Sequence, residues 1–225
     1  MKKYIVLYIH GMGGGADSRI PSVLAENIGR YAPEDTDIDI IVRTYDIDPD
    51  IAGMQISSWV EELEPALVVG ESLGAVHAVR IPGLPHLLVS PAIGAARWMA
   101  LAGYVPFAPF LMRRMFRTRP GDRQALNFTG KVLRHYRGVR KKVLSCASSG
   151  DRFFAFFGTR DTYRRWGVVS MRSWKRHFGG SCCAVYDGTH YMEEEYLLSM
   201  LVPAMLRALG LDVSGKNINF MKTIS

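Results

Sequence analysis

The stretch Leu67-Val68-Val69-Gly70-Glu71-Ser72-Leu73-Gly74-Ala75 decides the fold. A short apolar run enters a G-x-S-x-G turn, and a helix-like segment over 75–80 leaves it. A serine in that frame sits at the tip of a sharp strand-to-helix turn, in a strained backbone conformation. The residues two before and two after it are expected to pass close to each other, so that only small ones fit. Gly70 and Gly74 meet that need, and Ala75 keeps the helix start tight. The bare pattern is short and recurs by chance in glycine-rich chains; the strand before it and the helix after it give it weight. The competing reading is an ordinary serine in a glycine-bracketed turn.

Outward from this turn, short apolar runs alternate with longer helix-like stretches. The runs cover 4–9, 38–42, 67–69, 87–90, 153–157 and 183–186, and are rich in Val, Ile, Phe and Tyr. Several are apolar at consecutive positions, as in strands buried on both faces of a parallel sheet. The segments 21–31, 75–80, 163–178 and 193–209 supply helical crossovers. This alternation predicts an α/β fold with a mostly parallel, doubly wound sheet of about six strands. One connection is out of proportion. Residues 94–150 separate the fourth and fifth strands and read as a helical insertion over one end of the sheet, a lid. The chain divides into one domain over 1–212, which includes that lid, and a C-terminal tail over 213–225 without clear period.

Composition narrows the class further. The 225 residues are 48% apolar and 22% charged, which excludes a disordered or fibrous chain. Met1-Lys2-Lys3 and the apolar run behind it read as a buried first strand rather than a leader, because the run is short and breaks at His10-Gly11. The apolar stretch 98–112 holds Pro106 and Pro109 and is too short for a membrane span. Cys146, Cys182 and Cys183 form neither a disulfide framework nor a zinc spacing, so reduced thiols and a cytoplasmic location are expected. The net charge of +7 is unevenly placed. Residues 1–93 carry 6 basic and 13 acidic side chains, whereas 94–150 carry 12 basic ones and a single acid, Asp122. The basic character belongs to the insertion.

Three further signals carry chemistry. The first strand runs into His10-Gly11-Met12-Gly13-Gly14-Gly15. Acyl transfer needs two donors for a developing oxyanion. The backbone N–H of Leu73, at a helix N-terminus, is one candidate and that of Met12 is the other. A rival reading takes Gly11-x-Gly13-x-x-Ala16 as a dinucleotide fingerprint, but the second strand ends at Arg43-Thr44, with Asp46 only later, so the match is partial. A Walker A loop is excluded because no Gly-Lys-Ser/Thr follows. Asp161 stands just past the aromatic run Phe153-Phe154-Ala155-Phe156-Phe157, and His190 stands in a loop between the last strand and the last helix. Asp187, three residues before His190, competes with Asp161 as an acid; its other reading is a cap on the turn that Gly188 allows. Asp151 lies before its strand, at the wrong end of the sheet.

The chain order Ser72, Asp161, His190 is the nucleophile–acid–histidine order of the α/β-hydrolase superfamily, and with the elbow and the glycine loop the sequence resembles that superfamily, particularly its small bacterial serine esterases. The resemblance runs from Tyr4 to about Leu209 and leaves out the insertion. It implies an α/β-hydrolase fold. It implies Ser72 as the nucleophile that attacks the acyl carbon, His190 as general base and then general acid, and Asp161 as the group that orients His190. Met12 and Leu73 would form the oxyanion hole. The implied activity is hydrolysis of carboxylic esters or thioesters through an acyl-enzyme, with no metal and no cofactor. The alternatives are a nucleotide-cofactor-binding Rossmann-like protein and a non-catalytic α/β-hydrolase scaffold used for binding.

Other polar residues have plainer readings. His10 braces the glycine loop, and His77 lies in the helix behind Ser72. His86, His135 and His177 read as solvated, and Glu193-Glu194-Glu195 as the first turn of a helix. The lid mixes aromatics with arginines. On its plain reading it buries its own apolar face and leaves its basic face solvated; on the others its partners are a small-molecule ester or thioester, anionic with an apolar acyl group, and through a weak contact an anionic membrane surface. No nucleic-acid-binding module is recognisable.

Overall fold

The computed structural model describes residues 2–146, 152–180 and 182–211. The tail over 213–225 and Asp151 therefore lie outside the described residues. Six strands form one sheet: β1 (Lys2–Ile9), β2 (Thr36–Val42), β3 (Leu67–Glu71), β4 (His86–Val89), β5 (Phe153–Gly158) and β6 (Cys183–Tyr186). Their order is β2-β1-β3-β4-β5-β6, and every pairing is parallel. The chain starts near one edge, reverses once beside β1, and then winds strand by strand to the other edge.

Alternation along the strands explains why both faces are covered. Leu7, Ile9, Val68, Leu88, Ala155 and Phe157 point to one side. Val6, Tyr8, Leu67, Val69, Leu87, Val89 and Phe156 point to the other. Each face needs its own layer of helices. On the second face lie α1 (Arg19–Asn27) and the C-terminal run α9 (Glu194–Tyr196), a π turn (Leu197–Leu201) and α10 (Val202–Ala208). On the first face lie α2 (Pro49–Leu63), α3 (Leu73–Ala78) and, further along, α8 (Met171–Phe178), which buries Trp174. Asp48 caps α2 by accepting from the Asp50 N–H at 3.0 Å. The stretch expected as one helix over 163–178 is broken. A 3₁₀ turn, Thr162–Trp166, ends at Gly167 (φ +64°), and Ser170 caps α8 anew.

The long insertion contains α4 (Ala95–Ala102), α5 (Ala108–Met115), α6 (Gly130–His135) and α7 (Val139–Ser145), and it divides in two. Its second half is part of the scaffold. Phe128, Leu133, Tyr136, Val139 and Val143 are buried in the first-face core, and the Tyr136 hydroxyl donates to the Ile47 carbonyl at 2.7 Å. Its first half covers the carboxyl end of the strands, and α5 has no buried residue. Two histidines also differ from the expectation of solvation. His86 opens β4 inside the core and stacks on Phe153 at 4.7 Å. His135 on α6 meets the Asp48 carboxylate at 2.9 Å. His177 on α8 is exposed as expected.

The division of the insertion is testable. Phe128→Ala removes a fully buried ring and is expected to cost about 3–5 kcal/mol. Phe107→Ala, at a position 84% exposed, is expected to stay within about 0.5 kcal/mol. Urea denaturation of both variants measures the difference.

Candidate active site

β3 and α3 meet at Ser72, whose backbone takes φ 51° and ψ −113°, a conformation rarely adopted by any residue but glycine. Bonds on both sides hold it there. The Ser72 N–H donates to the Val89 carbonyl at 2.9 Å, and the Ser72 carbonyl accepts from Ala92 at 3.0 Å. The two bracketing glycines are needed for different reasons than mutual approach. A Cβ on Gly70 would stand 2.8 Å from Ala75 Cα and Ala78 Cβ, inside its own turn. A Cβ on Gly74 would collide with the carbonyl oxygens of Ile9 and His10, so this glycine seats α3 against the end of β1.

The glycine loop after β1 lies beside the elbow: a Cβ on Gly11 would meet Ser72 Cβ at 3.3 Å. The loop is pinned from several directions. His10 stacks on Tyr45 at 4.5 Å, and the Tyr45 hydroxyl donates to the His10 carbonyl. Gln124, a buried residue of the insertion, accepts from the Gly13 N–H at 2.9 Å and donates its own N–H to the Gly14 carbonyl at 2.8 Å. The N–H groups of Gly13, Gly14 and Gly15 go to Gln124, the Gly11 carbonyl and the Ser18 hydroxyl, and the Met12 N–H takes no part in these bonds. Leu73 is the first residue of α3, where an N–H has no acceptor within its own helix.

His190 and Asp161 reach Ser72 from two neighbouring loops. A Cβ on Gly158 would strike the carbonyls of Gly188 and Thr189, so the β5 and β6 loops lie directly on each other. The Arg160 N–H donates to the Gly188 carbonyl at 2.9 Å. Both Asp161 and His190 are buried. One Asp161 oxygen accepts from the Tyr163 N–H at 2.8 Å and caps the 3₁₀ turn; the other lies 2.8 Å from His190 Nδ1. An ionised carboxylate only accepts, so Nδ1 carries the proton and Nε2 is left as an acceptor. Ser72 Oγ stands 2.8 Å from that Nε2. The imidazole is held on its faces and edge by Tyr163 (4.5 Å) and Tyr191 (5.3 Å). The arrangement can carry a proton from the hydroxyl to the imidazole while the carboxylate stabilises the resulting cation.

Asp187 is placed elsewhere. Its side chain is 78% exposed, accepts from the Thr159 hydroxyl at 2.7 Å and faces the Arg160 guanidinium at 3.4 Å. It latches the two loops together and does not touch His190. Glu193, just before α9, accepts from the Thr189 N–H at 3.0 Å and steadies the same loop from below.

A cavity of about 740 Å³ opens beside Ser72 and His190. The lid half of the insertion walls it with Trp98, Met99, Met112, Met115 and Phe116, and Arg19, Arg117, Arg119 and Arg123 stand on its lining. Glu71, which the sequence did not single out, also lines it. The Tyr8 hydroxyl donates to Glu71 at 2.9 Å, and burial pushes its carboxyl above the usual carboxylate range. Its only signal in the sequence is adjacency to Ser72. Gln124 carries no sequence signal at all, because its partner Gly13 lies 111 residues away.

The sequence matches no family profile and no characterised protein. Its fold is shared by solved structures. A monoacylglycerol lipase from Paleococcus ferrophilus superposes with a TM-score of 0.58 at 14% identity, over 91% of this chain and 93% of that one. Est1E from Butyrivibrio proteoclasticus, with ferulic acid bound, gives 0.60 at 12% identity over 93% and 90%. A fluorophosphonate-binding serine hydrolase of Staphylococcus aureus gives 0.56 at 13% identity over 93% and 85%. At these identities the likeness establishes the α/β-hydrolase fold with its lid.

Behind the elbow, His77 on α3 is buried, and burial, reinforced by the Arg80 guanidinium, pulls its pKa from 6.5 down to about 3. The folded state therefore resists a proton that the unfolded chain accepts. Stability is full above about pH 6.5 and is lost as pH falls from there towards 3, with a slope up to about 1.4 kcal/mol per pH unit from one such group. In His77→Gln the acid limb of a plot of urea midpoint against pH is expected to flatten.

Proposed function

We propose that the protein is a serine hydrolase of carboxylic esters or thioesters that works through an acyl-enzyme. The hydrogen-bonded chain from Ser72 through His190 to Asp161 carries this reading, because three side chains from three separate loops converge in the order that acyl transfer requires. Ser72 Oγ attacks the acyl carbon and passes its proton to His190 Nε2. The negative charge that develops on the carbonyl oxygen is met by the N–H groups of Leu73 and Met12. As the tetrahedral intermediate collapses, His190 protonates the leaving alcohol or thiol. Water then enters, gives a proton to His190 and attacks the acyl carbon; as this second intermediate collapses, the bond to Ser72 Oγ breaks, His190 returns the proton to Oγ, and the carboxylic acid leaves. Asp161 holds the imidazole by Nδ1 throughout.

The fold supports a hydrolase of this kind, and the cavity supports its substrate. The apolar wall of Trp98, Met99, Met112 and Phe116 suits an acyl chain longer than acetyl. Arg117 and Arg119 suit an anionic group on the substrate. The nucleotide reading fares less well. The Gly13 N–H, which a pyrophosphate would need, is already bonded to Gln124, and the next helix starts only at Arg19.

A fluorophosphonate probe is expected to label wild-type protein at Ser72, and Ser72→Ala is expected to lose both labelling and ester hydrolysis, on the order of 10³-fold or more, with its melting temperature kept. Asp161→Asn presents an N–H where His190 needs an acceptor and is expected to lower the rate by about 10³- to 10⁴-fold. Asp187→Asn is expected to act mainly on stability. A severe loss in Asp187→Asn beside a mild one in Asp161→Asn would move the acid role to Asp187.

Substrate preference gives a separate check. Medium-chain esters are expected to be cleaved faster than acetate esters. Added salt is expected to raise KM for anionic esters more than for neutral ones, because exposed charges are screened; an identical salt response removes the arginines from substrate steering.

A further inference from the structure

The lid half of the insertion leaves an outward surface that the fold does not use. Tyr104, Val105, Phe107, Phe110 and Leu111 are all more than half exposed, within a span of eight residues. Single exposed apolar side chains need no explanation, but a contiguous group of this size marks a surface that something covers. The backbone holds the group outward. Phe107 is 84% exposed and takes φ +64°, a strained conformation for an aromatic residue, at the start of α5. α5 turns Met112 and Met115 toward the cavity and interleaves Phe110 and Leu111 with Arg113 and Arg114 on its outer side. Trp166, also exposed, joins the lid through its carbonyl, which accepts from the Trp98 indole N–H at 2.8 Å.

Charge identifies what covers this surface. Among the described residues, the guanidinium groups of Arg113, Arg114, Arg117 and Arg119 make no salt bridge and no hydrogen bond within the chain. The one acid of the insertion, Asp122, is turned away and accepts from the Thr44 hydroxyl at 2.8 Å. A second copy of the same patch would bring two arginine clusters face to face, with no carboxylate between them. An anionic lipid surface takes both parts at once: aromatic and aliphatic groups enter the headgroup boundary, while arginines interleaved with them reach phosphate. No helix among the described residues is long and apolar enough to cross a membrane, so the contact lies on the surface.

We propose that the outer face of residues 104–119 docks the protein on anionic phospholipid bilayers, with Phe107 and Phe110 entering the headgroup layer and Arg113 and Arg114 binding lipid phosphate. The cavity mouth is framed by the same segment, since Met115, Phe116, Arg117 and Arg119 line it. Docking in this way brings the mouth against the bilayer.

Co-sedimentation with phosphatidylglycerol-containing vesicles and with phosphatidylcholine vesicles tests this. Wild-type protein and Ser72→Ala are both expected to pellet with the anionic vesicles, and about tenfold more weakly with the neutral ones. Phe107→Ser with Phe110→Ser, and separately Arg113→Gln with Arg114→Gln, are each expected to weaken the anionic binding about tenfold or more. Melting temperature and hydrolysis of a short soluble ester are expected to stay unchanged. None of these four residues touches the cavity, and pelleting needs no turnover, so failure here is separate from failure of the hydrolase assignment. The proposal is overturned if wild-type protein stays in the supernatant with anionic vesicles, or if either double variant binds as wild type does. It is also overturned if sedimentation velocity shows a dimer that the phenylalanine variant dissociates.

Discussion

The backbone of Ser72 is the constraint on which the rest of the structure depends. A residue at φ 51° and ψ −113° relaxes unless its neighbours forbid it. Here β4 takes its N–H, the turn after β4 takes its carbonyl, and α3 is seated by Gly74 against the carbonyls at the end of β1. Three adjacent central strands thus converge on one residue. The hydroxyl stands clear of the sheet because its own backbone cannot turn away, and the glycine loop lies alongside because Gly11 has no side chain to hold it off.

The second arm of the site is built by contact between loops. β5 and β6 are neighbours, and the glycine at Gly158 lets the β6 loop settle onto the end of β5. That contact sets the distance between Asp161 and His190. The same loops are tied on the outside by Thr159 and Arg160 to Asp187, and from below by Glu193 to Thr189. The two aspartates therefore divide the work by burial. The buried one holds the imidazole and the cap of its own turn, while the exposed one closes the latch.

The insertion joins these parts to the surface. Through Gln124 it grips the glycine loop, and through Phe128, Tyr136 and Val143 it completes the core on one face of the sheet. Its other half carries the cavity wall on its inner side and an aromatic, arginine-rich face on its outer side. One segment is thus scaffold, wall and exposed surface.

Much of this was legible in one dimension. Strands buried on both faces leave runs of consecutive apolar residues, so all six strands appeared within a few residues of their observed bounds. The elbow is local, and its spacing shows in five residues. The order Ser72, Asp161, His190 was visible because a parallel, doubly wound sheet puts strand ends, and the loops that follow them, at one edge. What folding alone decided depends on distances between residues remote in sequence. Asp161 rather than Asp187 meets His190, although Asp187 is the nearer in sequence, because loop packing and not chain separation sets the contact. Gly74 faces β1 and not Gly70, Gln124 reaches a loop 111 residues away, and His86 enters the core instead of water. The insertion shows the same limit: hydropathy marked 94–150 as helical and basic, but only its packing against α2 and α3 separated the half that is core from the half that faces outward. Local pattern determines elements and the turns that join them; burial and partner choice arise when those elements compete for the same two faces of a sheet.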